Sequence, residues 1–192
     1  MAEVYRPAED SILLLRHARS RVSGSVLDMG TGSGVLAIAM ASIRRVERVV
    51  AVDIDRDAVE VARKRVEDSG VSGRIEFLVG DLFEGLDDER FDWIIFNPPY
   101  LPSEGAADEV SWSGGEIGRE VIMRFLGGAR EHLNPSGAIL MVYSSQTGLE
   151  LENVERDYVV EVLEEMPLFF ERLYCLLLRP LNPYGSPDTT RR

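Results

Sequence analysis

Ser25-Val26-Leu27-Asp28-Met29-Gly30-Thr31-Gly32-Ser33-Gly34-Val35-Leu36-Ala37-Ile38-Ala39 is the stretch that decides the fold. A short apolar run ends in a carboxylate, three glycines follow at alternate positions, and a second apolar run continues to Ile43. That order reads as strand, loop and helix. Glycines in such a loop let the backbone adopt φ > 0 and come close to a ligand. The loop departs from the dinucleotide fingerprint G-x-G-x-x-G, because Val35-Leu36-Ala37 follows Gly34 without a fourth glycine. It is not a P-loop either, since the only lysine, Lys64, lies in a later helical segment.

Working outward, the pattern predicts a helix over 10–19, capped by Asp10 or Ser11, ahead of a strand over 25–29. A helix over 35–43, a strand over 46–52 ending at Asp53, and a helix from Asp55, which is placed to cap it, to Gly70 follow. Strands are expected over 74–79 and 91–96, a helix over 120–133 halted by Asn134-Pro135, and a strand over 138–143. Such alternation indicates a parallel α/β sheet with helices on both faces and right-handed connections. Two further β-like runs, 159–163 and 169–178, are separated by too few residues for a helical crossover. They are expected to close the sheet as an antiparallel hairpin, making seven strands. The chain reads as one domain, 1–192, with an N-terminal segment over 1–22 and a tail over 180–192 expected to fray.

At 192 residues, 45% apolar and 28% charged, the chain can bury a full core. Nothing approaches the ~18 apolar residues of a membrane span. The opening Met1-Ala2-Glu3-Val4-Tyr5-Arg6 lacks a signal-peptide layout, and one cysteine excludes an internal disulfide, so a cytoplasmic location is expected. With only His17 and His132 beside Cys175, no metal site is expected. The net charge of −12 works against nucleic acid as a partner, because phosphate contacts need clustered cations. Arg16, Arg19 and Arg21, and likewise Arg44, Arg45 and Arg48, read as solvated helix faces or ends. A protein partner is the easier reading.

The chemistry-bearing residues fall at the C-terminal ends of the strands, where open parallel sheets bind ligands. Asp53 lies 19 residues after Gly34, where a carboxylate can accept both hydroxyls of a ribose. Asp81 in Gly80-Asp81-Leu82 can accept from an exocyclic adenine amine. These features suit a nucleoside without a pyrophosphate, and S-adenosylmethionine is such a ligand. The fourth strand runs into Asn97-Pro98-Pro99-Tyr100, where two prolines hold the backbone rigid. The Asn97 side-chain oxygen and the Pro98 carbonyl then form a fork of acceptors for a planar NH2 group, with Tyr100 over its flat face.

On these motifs the chain resembles the HemK/PrmC-type S-adenosylmethionine-dependent methyltransferases, over nearly its whole length. The segments Val4-Tyr5-Arg6-Pro7-Ala8-Glu9-Asp10-Ser11 and Trp112-Ser113-Gly114-Gly115-Glu116-Ile117-Gly118-Arg119-Glu120-Val121 look like the short archaeal and eukaryotic branch. The resemblance implies a Rossmann-like class I methyltransferase fold. It implies N5-methylation of the glutamine in the Gly-Gly-Gln motif of a class I release factor. It also implies that Ser11, Asp28, Gly30, Gly32, Asp53, Asp81, Leu82 and Asn97 hold the cofactor, that Asn97, Pro98 and Tyr100 carry the reaction, and that a small zinc-bearing activator subunit can be a partner.

Other readings stay open at this level. The same tetrapeptide serves exocyclic amines of adenine or guanine, although such enzymes add a recognition domain or a basic face because a duplex base must be flipped out. A protein-lysine methyltransferase and an inactive cofactor-binding scaffold are the remaining alternatives. Trp112 with Gly114, Gly115 and Gly118 is either a lid or a loop against the sheet rim. Glu9 and Asp10 can simply favour a helix start. His17 and His132 are expected at the surface, and Cys175 in the core.

Overall fold

The computed structural model describes residues 9–67, 69–98 and 114–181. Pro99, Tyr100, Trp112 and the tail beyond 181 therefore lie outside the described residues. Helix α1 (Glu9–Arg21) leads into strand β1 (Gly24–Met29), and α2 (Val35–Ala41) into β2 (Val46–Asp53). Then come α3 (Arg56–Glu67), β3 (Ile75–Val79), β4 (Phe91–Phe96), α4 (Gly114–Ala129), β5 (Leu133–Ser144), α5 (Leu151–Val154), β6 (Tyr158–Pro167) and β7 (Arg172–Pro180). The strands form one sheet in the order β3-β2-β1-β4-β5-β7-β6. The first five run parallel, and β7 pairs antiparallel with both β5 and β6.

The central strands carry apolar runs, Val26-Leu27, Trp93 to Phe96 and Ala138 to Tyr143, because both of their faces are covered. Their side chains alternate between two cores. Val26, Ile95, Leu140 and Cys175 pack with residues of α1, α2 and α3 on one face. Leu27, Ile94, Ile139 and Leu176 pack with Ile122, Phe125 and Leu126 of α4 and Val154 of α5 on the other. Cys175 is fully buried, and burial pushes its thiol up to about 12, so it behaves as a small core hydrophobe.

Asp92 locks the strand starts together. Its carboxylate accepts from the Ser25 N–H at 2.8 Å and from Asn134 Nδ2 at 2.8 Å, tying β1, β4 and β5 at the edge opposite the glycine loop. Burial would raise its pKa, but these hydrogen bonds and that of the Ser25 hydroxyl outweigh burial and hold it below the usual value. Gly24 is required beside it. Its φ is +69°, and a Cβ there would sit 2.2 Å from Asp92 Oδ2.

Three expectations are corrected. The helix expected over 120–133 ends at Ala129, and β5 begins at Leu133, carrying Asn134-Pro135 inside it. Leu133 pairs with Phe91 and the register then shifts before Trp93 meets Ala138, so Pro135 falls in a bulge that needs no ladder N–H. The closing hairpin is longer than the apolar runs suggest. β6 continues through Glu164, Glu165 and Met166, since an edge strand tolerates charge on its open side. Phe169 and Phe170 fall in the turn instead. Neither histidine is a surface residue. His132 is buried and stacked on Phe83, with ring centroids 4.6 Å apart. His17 is half-buried with Nε2 2.7 Å from Glu164.

Helix α4 is tied to the far edge by the Tyr158 hydroxyl, which donates to the Leu126 carbonyl at 2.6 Å in a buried position. Burial pushes the phenol up to about 12, so it keeps its proton at neutral pH. Tyr158→Phe is expected to cost about 1 kcal/mol. For a chain of this size the melting temperature should fall by about 2–4 °C. Thermal unfolding of the two proteins, followed by circular dichroism, checks this; an unchanged midpoint would show that the bond contributes nothing.

Candidate functional site

The strand order makes β1 and β4 neighbours, while β1 leads to β2 on one side and β4 to β5 on the other. Such a reversal opens a crevice at the C-terminal ends of the strands. Met29 pairs with Phe96, so the glycine loop that follows β1 and the Asn97 that follows β4 emerge side by side. Asp53 closes β2 and pairs with Val79, which places Gly80-Asp81 beside it. Asp81, Asp53, the glycine loop and Asn97 thus line four adjacent strand tips. Three strand spacings separate the first from the last, about 14 Å.

The loop is braced from beneath and beside. Asp28 is fully buried under it, and its Oδ2 accepts from the Thr31 hydroxyl at 2.6 Å. Oδ1 of Asp28 is buried without a hydrogen-bond partner among the described residues. Burial raises the carboxyl from 3.8 to about 7; the Thr31 hydroxyl and the Ala37 amide favour the anion without offsetting burial, and Asp53 adds repulsion. Asp53 spans two loops, accepting from the Gly32 N–H at 2.7 Å through Oδ2 and from the Asp55 N–H at 2.9 Å through Oδ1. Asp55 is the helix cap, accepting from the Asp57 N–H at 2.8 Å, as the sequence suggested. Gly34, with φ +78°, lets the start of α2 close onto α3, because a Cβ would lie 2.9 Å from that of Ala62. The outer side of the loop is open, as a Cβ on Gly32 would meet nothing within 4 Å.

Asn97 is held by a residue from the other end of the chain. Its Nδ2 donates to the hydroxyl of Ser11, the buried third residue of α1, at 3.4 Å. The Ser11 N–H in turn donates to the Asp10 carboxylate. With the NH2 group engaged, Asn97 Oδ1 is left buried and without a hydrogen-bond partner among the described residues. Pro98 is buried at its side. Tyr100, expected to cover this place, lies outside the described residues. Asp81 is ion-paired with Arg124 of α4 at 2.7 Å, and Leu82 takes a left-handed φ of +54°.

Sequence reasoning missed three contributors. Thr31 was legible as a hydroxyl three residues after Asp28. Arg124 had no signal, since its partner lies 43 residues away. Ile54 is exposed between two carboxylates at the tip of β2, an apolar surface on an otherwise polar rim.

The arrangement can hold a nucleoside along the β3–β2–β1 tips and offer an unpaired amide acceptor at β4. No helix among the described residues is long and apolar enough to cross a membrane.

Comparison with known proteins agrees with this geometry. Residues 8–164 match the methyltransferase small domain. A Methanocaldococcus jannaschii relative, provisionally named a protein N5-glutamine methyltransferase, is 36% identical over 185 residues, covering 91% of this chain and 90% of the relative. The ribosomal protein uL3 glutamine methyltransferase of Bradyrhizobium diazoefficiens is 38% identical over 154 residues, covering 76% of this chain. The chain spans only 46% of that bacterial relative. Among solved structures, Mtq2 in the E. cuniculi Mtq2–Trm112 complex, responsible for methylation of the eRF1 translation termination factor, superposes with a TM-score of 0.66. It is 26% identical, and the match covers 92% of this chain and 98% of that one. A seven-stranded sheet with an antiparallel C-terminal hairpin, a braced glycine loop and these matches lead to one conclusion: the chain belongs to the methyltransferase small domain family.

Proposed function

We propose that this chain transfers a methyl group from S-adenosylmethionine to the side-chain amide nitrogen of a glutamine, in the Gly-Gly-Gln motif of a class I release factor. One observation carries the reading, the buried Oδ1 of Asn97, which has no hydrogen-bond partner among the described residues while its own NH2 group donates to Ser11. A planar NH2 group supplies the donor that this oxygen lacks. Relatives named for glutamine methylation support the acceptor type, and the Mtq2 neighbour supports a translation termination factor as the protein bearing it. That neighbour, a two-protein complex, also supports a small activator subunit as partner. A translation factor as substrate would locate the reaction in the cytoplasm.

The residues present fit the cofactor. The orphan Oδ1 of Asp28 can take the ammonium of its methionine moiety, Asp53 the ribose hydroxyls, and Asp81 the adenine amine. Ile54 offers an apolar cover for the base, and Gly30, Gly32 and Leu82 let the backbone pass close by. When bound, the cofactor supplies a methyl group on a positively charged sulfur. The rest is done by the chain. An amide nitrogen is a weak nucleophile because its lone pair is delocalised into the carbonyl. Asn97 Oδ1 and the Pro98 carbonyl would each accept one of its N–H groups and so fix the orientation of the nitrogen. Orientation of this kind contributes several kcal/mol to lowering a barrier. The same two oxygens would face the positive charge that grows on nitrogen and stabilise it. Alkylation makes the nitrogen acidic, so the proton can leave late and no strong base is required.

Asn97→Ala is expected to lower kcat by about a hundred- to a thousandfold, the scale of removing a preorganised polar group at the reacting atom. Cofactor affinity should stay within about threefold, less than one kcal/mol. Single-turnover assays and calorimetry measure the two quantities; wild-type kcat in the variant would refute the role of Asn97. For the substrate, methyl-labelled cofactor is incubated with the chain and purified release factor, its Gln-to-Ala variant, or ribosomal protein uL3. Label on the wild-type factor alone is the expected result. Label on uL3 alone favours the substrate of the Bradyrhizobium relative instead.

Asp28 links the site to pH. Its folded-state pKa is raised from 3.8 to about 7, so the folded protein keeps a proton that the unfolded chain has released. Stability of the cofactor-free protein therefore falls as pH rises from about 4 to about 7 and is level above. Asp28→Asn should remove that slope and gain about 1–4 kcal/mol at neutral pH. It should also weaken cofactor binding about tenfold or more, since the ammonium loses its counter-charge. Melting curves across this pH range and cofactor titrations check both effects. A pH-independent difference between the two proteins would show that the Asp28 carboxyl is already ionised in the folded state.

A further inference from the structure

Phe169 and Phe170 are 91% and 84% exposed, the most exposed of the large apolar side chains described, and nothing in the proposed chemistry uses them. They occupy the turn between β6 and β7 with ring centroids 4.6 Å apart and planes at 82°. The turn is anchored. Leu168 N–H donates to the Glu171 carbonyl at 2.8 Å, Arg172 N–H to Ser145 Oγ at 3.0 Å, and Gln146 Nε2 to the Phe170 carbonyl at 3.4 Å. The buried Ser144 hydroxyl donates to the Glu171 carboxylate. These bonds fasten the hairpin tip to the end of β5 while leaving both rings in water. Beside them lies an open concavity of about 590 Å³ lined by Ser145 and residues 167–172.

The pairing register places this tip relative to the site. Phe96 pairs with Met141, and Ser144, three residues further along β5, pairs with Leu173 at the start of β7. The tip therefore stands on the same edge of the sheet as Asn97. It lies about two strand spacings, about 10 Å, to the side, and its base at Leu173 stands about 7 Å beyond the level of Asn97. The edge is divided accordingly, with carboxylates and the glycine loop on the β3–β2–β1 half and the two exposed phenylalanines at the tip of the β6–β7 hairpin on the other. Asn97 sits where the halves meet.

We infer that Phe169 and Phe170 are the docking point for an apolar patch on the methyl-accepting protein, beside its acceptor glutamine. The inference rests on the reading of the chain as a protein methyltransferase. An exposed base would also stack on an aromatic ring, but phosphates need free cations alongside. Among the described residues, Arg172 pairs with Glu165 and Arg16 with Glu164 at this corner, and the chain carries a net charge of −12. An uncharged, apolar protein surface is the complement. Paired exposed aromatics on a rigid support give up little conformational freedom on binding, which is the property of an interface hot spot.

The test is the double variant Phe169→Ser/Phe170→Ser, assayed on the intact release factor and on a short peptide carrying its Gly-Gly-Gln segment. KM for the intact factor should rise about 10- to 100-fold, the range of a lost hot spot, while kcat changes little. Turnover of the peptide, affinity for S-adenosylhomocysteine and melting temperature should match the wild type, because the rings support neither site nor core. An unchanged KM for the factor in a variant that folds normally overturns the docking claim and leaves the proposed function standing. An equal loss on factor and peptide assigns the rings to the site itself and also overturns it. So does an unchanged KM accompanied by loss of self-association or of binding to a single-stranded RNA oligonucleotide. Wild-type protein that transfers no label to the factor or the peptide refutes the proposed function, and the docking claim with it.

Discussion

The rung at which Met29 pairs with Phe96 governs the molecule. Parallel pairing of β1 with β4 forces two segments 67 residues apart, counting from Gly30 to Asn97, to leave the sheet at the same height and side. The glycine loop and the Asn97 amide are thereby made adjacent. Asp92 secures the same strands at the opposite edge through Ser25 and Asn134. Register set at one end of β1 and β4 is thus delivered at the other, because a strand cannot slip by one residue without turning its side chains to the wrong core.

Within that frame the polar groups of the site are left short of partners. Asp28 Oδ1 and Asn97 Oδ1 are the buried side-chain oxygens without hydrogen bonds among the described residues, and both lie at the ligand edge. An unpaired buried acceptor is unfavourable, and a ligand bound here would recover part of that cost. The rest of the edge is well supported. Asp53 accepts two backbone N–H groups, Thr31 braces Asp28, and Arg124 pairs with Asp81. Rigid surroundings with a few unanswered acceptors are what a preorganised site requires.

The elements were legible in the sequence wherever local chemistry dominates. The glycine loop, the short parallel strands and the cap at Asp55 all follow from residues within one or two turns of each other. The errors arose where tertiary context outweighed local preference. Asn134-Pro135 looked like a helix stop, yet a bulge against Phe91 accommodates it inside β5. Glu164 and Glu165 looked like a loop, yet an edge strand solvates them. His132 looked exposed, yet Phe83 and the Glu89 carbonyl receive it.

What the sequence determined by itself is the inventory and its order along the chain: strand tips carrying Asp28, Asp53, Asp81 and Asn97, with glycine or proline close in sequence to all but Asp53, because backbone sterics act locally. Only the tertiary structure decided the partners. Ser11 meets Asn97 across 86 positions, Arg124 meets Asp81 across 43, and the hairpin tip with Phe169 and Phe170 reaches the same edge. Contacts of that kind depend on strand order and register, which arise from burying two apolar faces at once and leave no mark in any short stretch of residues.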